Sequence, residues 1–392
     1  EIGSCDWSSD VCSSDLGVPI AQRFGGKDYR SMCAYIWHSI FITIAAAVLL
    51  TTICALLCPA ILHILTTPAN IYKDAYIYLL IIFLGIPCTL LYNLLSSILR
   101  AVGDSKTPFL FLVISTILNI ILDLVCIVVF HWGCAGAAIA TVTAQALSVV
   151  FAVLLLIKKD LPFTIKKSDF RLNPQCKRFL QIGLPLALQE FLTQLSFLAL
   201  CAFVNRLGLE ASSGYGVACK IVNFAMLVPS SLMQSMASFV SQNVGAGKTK
   251  RAKQSMFTGI GVGLAVGCLV FVLVMFKGDV VAGIFSTDAS VIQNAFAYLK
   301  GFAPETIVTA ILFSMVGYFN GNNKTVWVMI QGLVQTLLVR LPLAYYMSIQ
   351  PNASLTRIGL AAPVATVTGI ILNVGFFVYL NRAKKTATSP SS

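Results

Sequence analysis

The sequence predicts an all-α polytopic membrane protein, and three observations carry that prediction. Hydrophobic residues make up 57% of the 392-residue chain and charged residues only 11%, against roughly 25% charged in soluble domains. The apolar residues are gathered into runs near or above the ~20 residues that a membrane-crossing helix requires. The charges fall in the short connections between those runs, so the net charge of +12 describes a membrane surface rather than a nucleic-acid ligand.

Taken in order, Glu1–Leu16 stands apart. Asp6-Trp-Ser-Ser-Asp-Val-Cys-Ser-Ser-Asp-Leu16 resembles the translation of a common short-read sequencing adapter, and 1–16 is read as a non-native scar outside the fold. A polar, glycine-containing connection follows at 17–30. Spans are then expected near 33–58, 75–99, 109–130, 135–157, 179–205, 214–240, 254–276, 292–319, 326–348 and 358–380. Six of these contain proline (Pro87, Pro185, Pro229, Pro304, Pro342 and Pro363), which membrane helices tolerate where neighbours satisfy the freed carbonyl and which often marks a bend near a cavity. This gives an incomplete N-terminal lobe of four spans over 17–157, a basic linker at 158–178, a six-span C-terminal lobe over 179–382 and a polar tail at 383–392.

Lysine and arginine orient the spans. One set of connections carries 20 of them, from Arg23 to Lys385, and the opposite set carries four: Lys73, Arg206, Lys277 and Arg357. The bias places both chain ends in the cytoplasm. The linker holds seven bases and suits an anionic inner leaflet. The twelve cysteines show no metal or redox spacing, and most lie in apolar runs as small hydrophobes. The three histidines, His38, His63 and His131, are isolated, so no metal site is expected. Gly247-Lys248-Thr249 resembles the end of a phosphate loop, but the glycine required five residues earlier is Gln242, and the motif fails.

The chain also repeats. Gln22 and Gly25 of Ala21-Gln-Arg-Phe-Gly-Gly-Lys27 recur as Gln242 and Gly245, an offset of 220. Gly103-Asp-Ser-Lys-Thr107 recurs as Gly321-Asn-Asn-Lys-Thr325, an offset of 218. Ala140-Thr-Val-Thr143 recurs as Ala365-Thr-Val-Thr368, an offset of 225. Same-sense repeats joined by a cytoplasmic linker describe two lobes related by an axis along the membrane normal. The second half has two spans before its Gln-x-x-Gly landmark and the first half has none, so two spans are expected to be missing from a six-plus-six arrangement.

Polar residues inside the spans are the candidate sites. Asn119 and Asp123 lie four apart within the run 109–130, and on a helix they share one face. A carboxylate at that depth costs ~2.5–3.5 kcal/mol on insertion scales, so it is expected to face a protein interior or a wet cavity. The bland alternative is an interhelical hydrogen bond that only locks packing. Glu190 is a second intramembrane acid, for which a helix-end bond to a neighbour is the plain reading. Lys220 and Arg340 are bases within or near spans, expected either to pair with an acid, Glu190 being the candidate, or to snorkel. The second half carries Gln335 and Val339-Arg340 near the positions of the Asn119–Asp123 pair, so the lobes are not equivalent there. Tyr92, Phe191, Phe197 and Met226 are residues of the kind that more often pack helices than line a cavity.

The layout resembles the multidrug and toxic compound extrusion family. The residues carrying the resemblance are Ile20-Ala-Gln-Arg-Phe-Gly-Gly-Lys-Asp28, Leu99-Arg-Ala-Val-Gly-Asp-Ser-Lys-Thr-Pro108, Leu118-Asn-Ile-Ile-Leu-Asp123, Gly136-Ala-Ala-Ile-Ala-Thr141 and Phe239-Val-Ser-Gln-Asn-Val-Gly-Ala-Gly-Lys248. The resemblance covers about 17–382. It implies a monomeric plasma-membrane antiporter that exports cationic or amphipathic drug-like compounds in exchange for H⁺ or Na⁺, without a cofactor. It also implies a cation-coupling cluster at Asn119 and Asp123, with Thr141 on the next helix; Glu190, Lys220 and Arg340 are the candidates for the substrate path. The family's further acidic residue, on its first helix, has no counterpart in this sequence. The alternative is a flippase for lipid-linked oligosaccharide, which calls for a strongly cationic cavity where this chain offers only Lys220 and Arg340. An intramembrane enzyme needs a nucleophile–base or metal constellation, and none is present.

Overall fold

The computed structural model describes residues 17–64, 69–158 and 175–388. Of the expected features, the 1–16 scar and most of the basic linker fall outside these residues, as does the end of the polar tail. The described residues are helical almost throughout. A short helix, α1, covers residues 17–25. It is followed by α2 (Tyr29–Ile64), α3 (Ala69–Ala101), α4 (Lys106–Leu124) with a π-helical turn at Val125–Val129, and α5 (Gly133–Lys158). Then come α6 (Gln175–Asn205), α7 (Leu209–Gly245), α8 (Thr249–Gly283), α9 (Ala289–Phe302) and α10 (Glu305–Gly321). The chain ends in α11 (Thr325–Leu333) with a second π-helical turn at Val334–Arg340, α12 (Leu341–Ile349), α13 (Leu355–Gly359) and α14 (Ala361–Thr388). Helix α6 begins before the expected span start, inside the predicted linker, and α14 continues into the predicted tail.

Among the described residues, nine helices are long and apolar enough to cross a membrane, and α9 with α10 make a tenth span bent by 49°. The bend falls at Ala303-Pro304. Proline has no N–H to donate and its ring crowds the preceding turn, so one span becomes two half-helices. Large apolar side chains face outwards, among them Leu56 at 75% exposure and Leu269 at 70%. Among the described residues of a water-soluble fold such a surface would be an aggregation hazard; here it is the lipid-facing coat of an integral membrane protein.

The chain divides into two compact units, one of residues 1–181 with 245–247 and one of 182–244 with 248–392. In the first, α3 packs between α2 and α5, and α4 packs against α5. Its core gathers Met32, Tyr35 and Ile36 of α2 with Leu94 and Ile98 of α3. In the second, α8 lies against α10 and α9, and α14 lies against α10 and the second π-turn. Its core joins Leu200, Tyr215, Val274, Tyr298 and Leu355 from five helices. Close approach depends on missing side chains: a Cβ on Gly301 would run into the carbonyl oxygen of Thr356, so α9 and α13 could not meet.

The repeat is visible in the backbone. Four helix ends close the same way, with one residue in the left-handed region and the next N–H returning to the carbonyl five residues back. The left-handed residues are Lys27 (φ 58°), Gly103 (φ 92°), Gly247 (φ 73°) and Asn323 (φ 58°). The returning bonds are Asp28 to Arg23 (3.0 Å), Asp104 to Leu99 (2.9 Å), Lys248 to Asn243 (2.7 Å) and Lys324 to Phe319 (2.9 Å). Lys27 and Gly247 are 220 residues apart, and so are Gly103 and Asn323. The second landmark is therefore shifted by two residues: Gly103 matches Asn323, not Gly321. Chain identity at Gly321 had suggested the other register, but it is the left-handed turn that recurs.

The matched loops differ in charge. Asp28 and Asp104 cap the helices that follow them, Asp28 accepting from the Ser31 N–H at 3.2 Å and Asp104 from the Thr107 N–H at 3.1 Å and its hydroxyl at 2.5 Å. Lys248 and Lys324 take those places in the second half and make no side-chain cap. The hydrogen bond from the Ser31 side chain holds the Asp28 carboxyl below the ordinary carboxylate range, with the backbone N–H of Ser31 and the charge of Arg23 adding to it against a smaller cost of burial.

Candidate functional site

In the first unit, Asn119 and Asp123 occupy one face of α4, one turn apart. Asn119 donates from Nδ2 to the Thr141 hydroxyl on α5 at 3.3 Å. That hydroxyl gives its own proton to the Ala137 carbonyl at 3.0 Å, so Thr141 receives from Asn119 with its lone pair. One turn before Asn119, the Ser115 hydroxyl reaches the Ala144 carbonyl at 3.5 Å, a second polar tie between α4 and α5. Asp123 closes the row. Its Oδ1 is buried and has no hydrogen-bond partner among the described residues. The helix changes to a π-turn two residues later, at Val125–Val129. The wider turn leaves backbone groups out of α register, an arrangement that recurs at functional sites. The expected cluster of Asn119, Asp123 and Thr141 is thus brought together, offering carboxylate, amide and hydroxyl oxygens, the donor chemistry of a hard cation or a proton.

The second unit holds a second cluster that the sequence reading missed. Glu305 opens α10 directly after the break at Pro304 and is 9% exposed. Its Oε1 accepts the Thr309 hydroxyl at 2.8 Å and the Thr366 hydroxyl at 2.7 Å. Thr366 in turn accepts from Gln335 Nε2 at 3.1 Å, and Gln335 Oε1 accepts from Gln331 Nε2 at 2.6 Å. Glu305 Oε2 is buried with no partner among the described residues. An acid at the start of a half-helix receives the favourable end of the helix dipole, and a broken span at membrane depth is tolerated where it lines a site or cavity. The signal lay in the sequence: Pro304-Glu305 interrupts the run 292–319, and only the proline was singled out.

The two clusters are variations on one plan. Thr366 is the repeat partner of Thr141, and each receives an amide N–H from the helix before it: Asn119 in one unit, Gln335 in the other. Gln335 lies inside the second π-turn, Val334–Arg340, whereas Asn119 precedes the first. The acid has changed helix. At the backbone offset of 220, Glu305 corresponds to Gly85 and Thr309 to Thr89. Without an acid to meet, Thr89 donates to Gln145 Oε1 at 2.5 Å instead.

The remaining candidates are placed separately. Glu190, half-buried on α6, accepts from Gln194 Nε2 at 2.9 Å within its own helix. Lys220 is exposed on α7. The suggested partnership of Glu190 with either base does not occur: the ion pair found within 4.0 Å among the described residues is Arg23–Asp28. An i,i+4 amide satisfies the Glu190 carboxylate locally and removes the need for a long reach. Arg340 ends the second π-turn. Its guanidinium lies 4.1 Å over the ring of Phe197, an aromatic first read as packing.

Comparison with known proteins gives a consistent picture. The MatE family model matches residues 16–125 and 185–346. The probable multidrug resistance protein YoeA of Bacillus subtilis (strain 168) is 24% identical over 384 residues, covering 95% of this chain and 82% of the relative. The multidrug export protein MepA of Staphylococcus saprophyticus is 26% identical over 325 residues, covering 81% of this chain and 71% of the relative. Among solved structures, a MATE protein in the bent conformation superimposes with a TM-score of 0.90 at 19% identity, covering 97% of this chain and 86% of that one. An outward-facing multidrug resistance MATE family transporter superimposes at 0.87, with 19% identity and coverage of 98% and 86%. These structural matches establish the shared fold.

Proposed function

This chain belongs to the MatE family, a family of transporters and not of enzymes, and from that premise we propose that it is a secondary active multidrug exporter. It moves cationic or amphipathic compounds out of the cell in exchange for H⁺ or Na⁺, working as a monomer in the plasma membrane with both chain ends cytoplasmic. The multidrug names of its relatives support export over the flippase alternative. The basic residues of the connections support the orientation.

The observation that carries the coupling reading is Asp123 Oδ1, buried and unpartnered beside the Asn119–Thr141 hydrogen bond. A carboxylate left this way is stabilised by taking up a cation or a proton. Loading it removes a buried charge and biases the helices towards one conformation, while substrate binds the other better; exchange follows because each ligand shifts the population against its competitor. Glu305 provides the same chemistry in the second unit, with one oxygen held by two threonines and the other free to be loaded. The test is efflux from proteoliposomes under an imposed H⁺ or Na⁺ gradient. Asp123→Asn keeps the size of the side chain and removes the titrating group. Gradient-driven efflux is expected to fall at least about tenfold, a barrier change of ~1.4 kcal/mol. Unchanged efflux with unchanged gradient dependence would remove Asp123 from the coupling site.

A further inference from the structure

We propose that Arg340 is an anion-accepting subsite of the second unit, which takes the carboxylate of an aromatic substrate. The inference rests on the exporter reading and names a substrate class for it. Arg340 lies nine residues from Ile349, the end of its span, which is about 14 Å along a helix and too far for its side chain to reach water easily. It does not turn towards that end. The guanidinium stacks on Phe197 at 4.1 Å and is only partly exposed, so it is held against the unit. Near it Tyr298 packs edge-on against Tyr215 with ring centroids 5.0 Å apart, a rigid aromatic wall of the core.

No acid neutralises this charge at contact distance. Among the described residues Arg340 forms no ion pair within 4.0 Å. Glu305 acts on it through space only, its Oε1 already engaged by Thr309 and Thr366. Arginine carries five N–H donors in a planar fork. Phe197 covers a face of that plane, and among the described residues no carboxylate closes an ion pair on its edge, so that edge is left for a ligand. A carboxylate matches that edge with two parallel N–H···O bonds, which neither a neutral nor a cationic group can do. Beside it the partly exposed ring of Phe197 offers an aromatic surface for a flat apolar body, while Tyr298 and Tyr215 are packed away in the core. The second unit thus holds opposite charges at two separate points, Glu305 for a cation and Arg340 for an anion.

The experiment compares two dyes that differ only at the carboxyl group: a rhodamine free acid and its methyl ester. Binding of each to the purified full chain in detergent is followed by fluorescence anisotropy, and uptake of each into inside-out vesicles is measured separately. The wild type is expected to bind the acid more tightly than the ester. Arg340→Gln is expected to weaken acid binding by about tenfold or more, the loss of a charge-assisted bond, with ester binding within about twofold. Arg340→Lys keeps the charge without the fork and is expected to fall between. Equal loss of both dyes in Arg340→Gln, or a wild type with no preference for the acid, overturns the subsite. If Arg340→Gln does not fold, the wild-type preference and Arg340→Lys still decide the matter. Selective binding without uptake of either dye would uphold the subsite and sink the exporter reading instead.

Discussion

Glu305 gives the account its most quantitative test. Truncation to alanine removes the acceptor of two buried hydroxyls, Thr309 at 2.8 Å and Thr366 at 2.7 Å. An orphaned buried polar group costs ~1–3 kcal/mol, so two cost ~2–6 kcal/mol. Each threonine can rotate back onto a carbonyl of its own helix, which moves the expected loss to the lower end, ~2–3 kcal/mol. Glu305→Gln is nearly isosteric and keeps an oxygen where Oε1 lies, so both hydroxyls retain their acceptor and the stability change is expected to stay within about 1 kcal/mol. Transport should show the opposite pattern. Glutamine cannot take up a proton or neutralise a cation, so gradient-driven efflux should fall at least about tenfold in a variant that remains well folded. Thermal unfolding of the purified protein, read beside efflux from proteoliposomes, separates the two effects. The reasoning fails if Glu305→Gln is as unstable as Glu305→Ala, or if it exports with undiminished dependence on the gradient.

Other expectations follow from the same geometry. Asp104→Ala removes the acceptor of both the Thr107 N–H and its hydroxyl and should cost ~1 kcal/mol, as a lost helix cap does, in equilibrium or thermal unfolding. Gly301→Ala places a Cβ against the Thr356 carbonyl and should cost ~1–3 kcal/mol by forcing α9 from α13; the same substitution at Gly261, where nothing lies within 4 Å of the added atom, is the control and should raise stability by up to ~1 kcal/mol through helix propensity alone. Asp28 has a depressed carboxyl pKa in the folded chain. Its contribution to stability is therefore complete above the unfolded value of ~3.9 and is lost as pH falls through the lower folded value. Asp28→Asn should accordingly lie a constant small amount below the wild type at pH 6–8, and the gap should narrow as pH falls below the ordinary carboxylate range in pH-dependent unfolding.

Much of the fold was legible because membrane insertion writes itself into local sequence. A run of apolar residues is sufficient to define a span, and the ten expected runs correspond to nine whole helices and one bent pair among the described residues. Asn119 and Asp123 were legible from their helical spacing, and Thr141 from the family resemblance; that α4 and α5 face each other there is seen in the structure. The π-turns were not, since Val125–Val129 and Val334–Arg340 are ordinary apolar sequence whose register is set by packing against α5 and α14. Glu305 was missed for another reason: it follows a proline that was read only as a bend. The true register of the repeat lay in φ angles, where Lys27 and Asn323 adopt the left-handed form without being glycine. Lys220 shows the limit of reading a charge by its depth, because exposure on α7 depends on the face of the helix and not on its place in the span.

The central claim is that a coupling cation and a substrate compete through Asp123. The direct measurement is cation release from purified protein on addition of substrate, followed by a pH indicator in weak buffer and, separately, by a sodium-sensitive dye. The account predicts release of up to about one H⁺ or Na⁺ per carboxyl when substrate saturates the wild type, less by the Asp123 share in Asp123→Asn, and none in Asp123→Asn/Glu305→Gln while the double variant still binds substrate. Substrate binding that releases neither ion from the wild type, or equal release from the double variant, would contradict it.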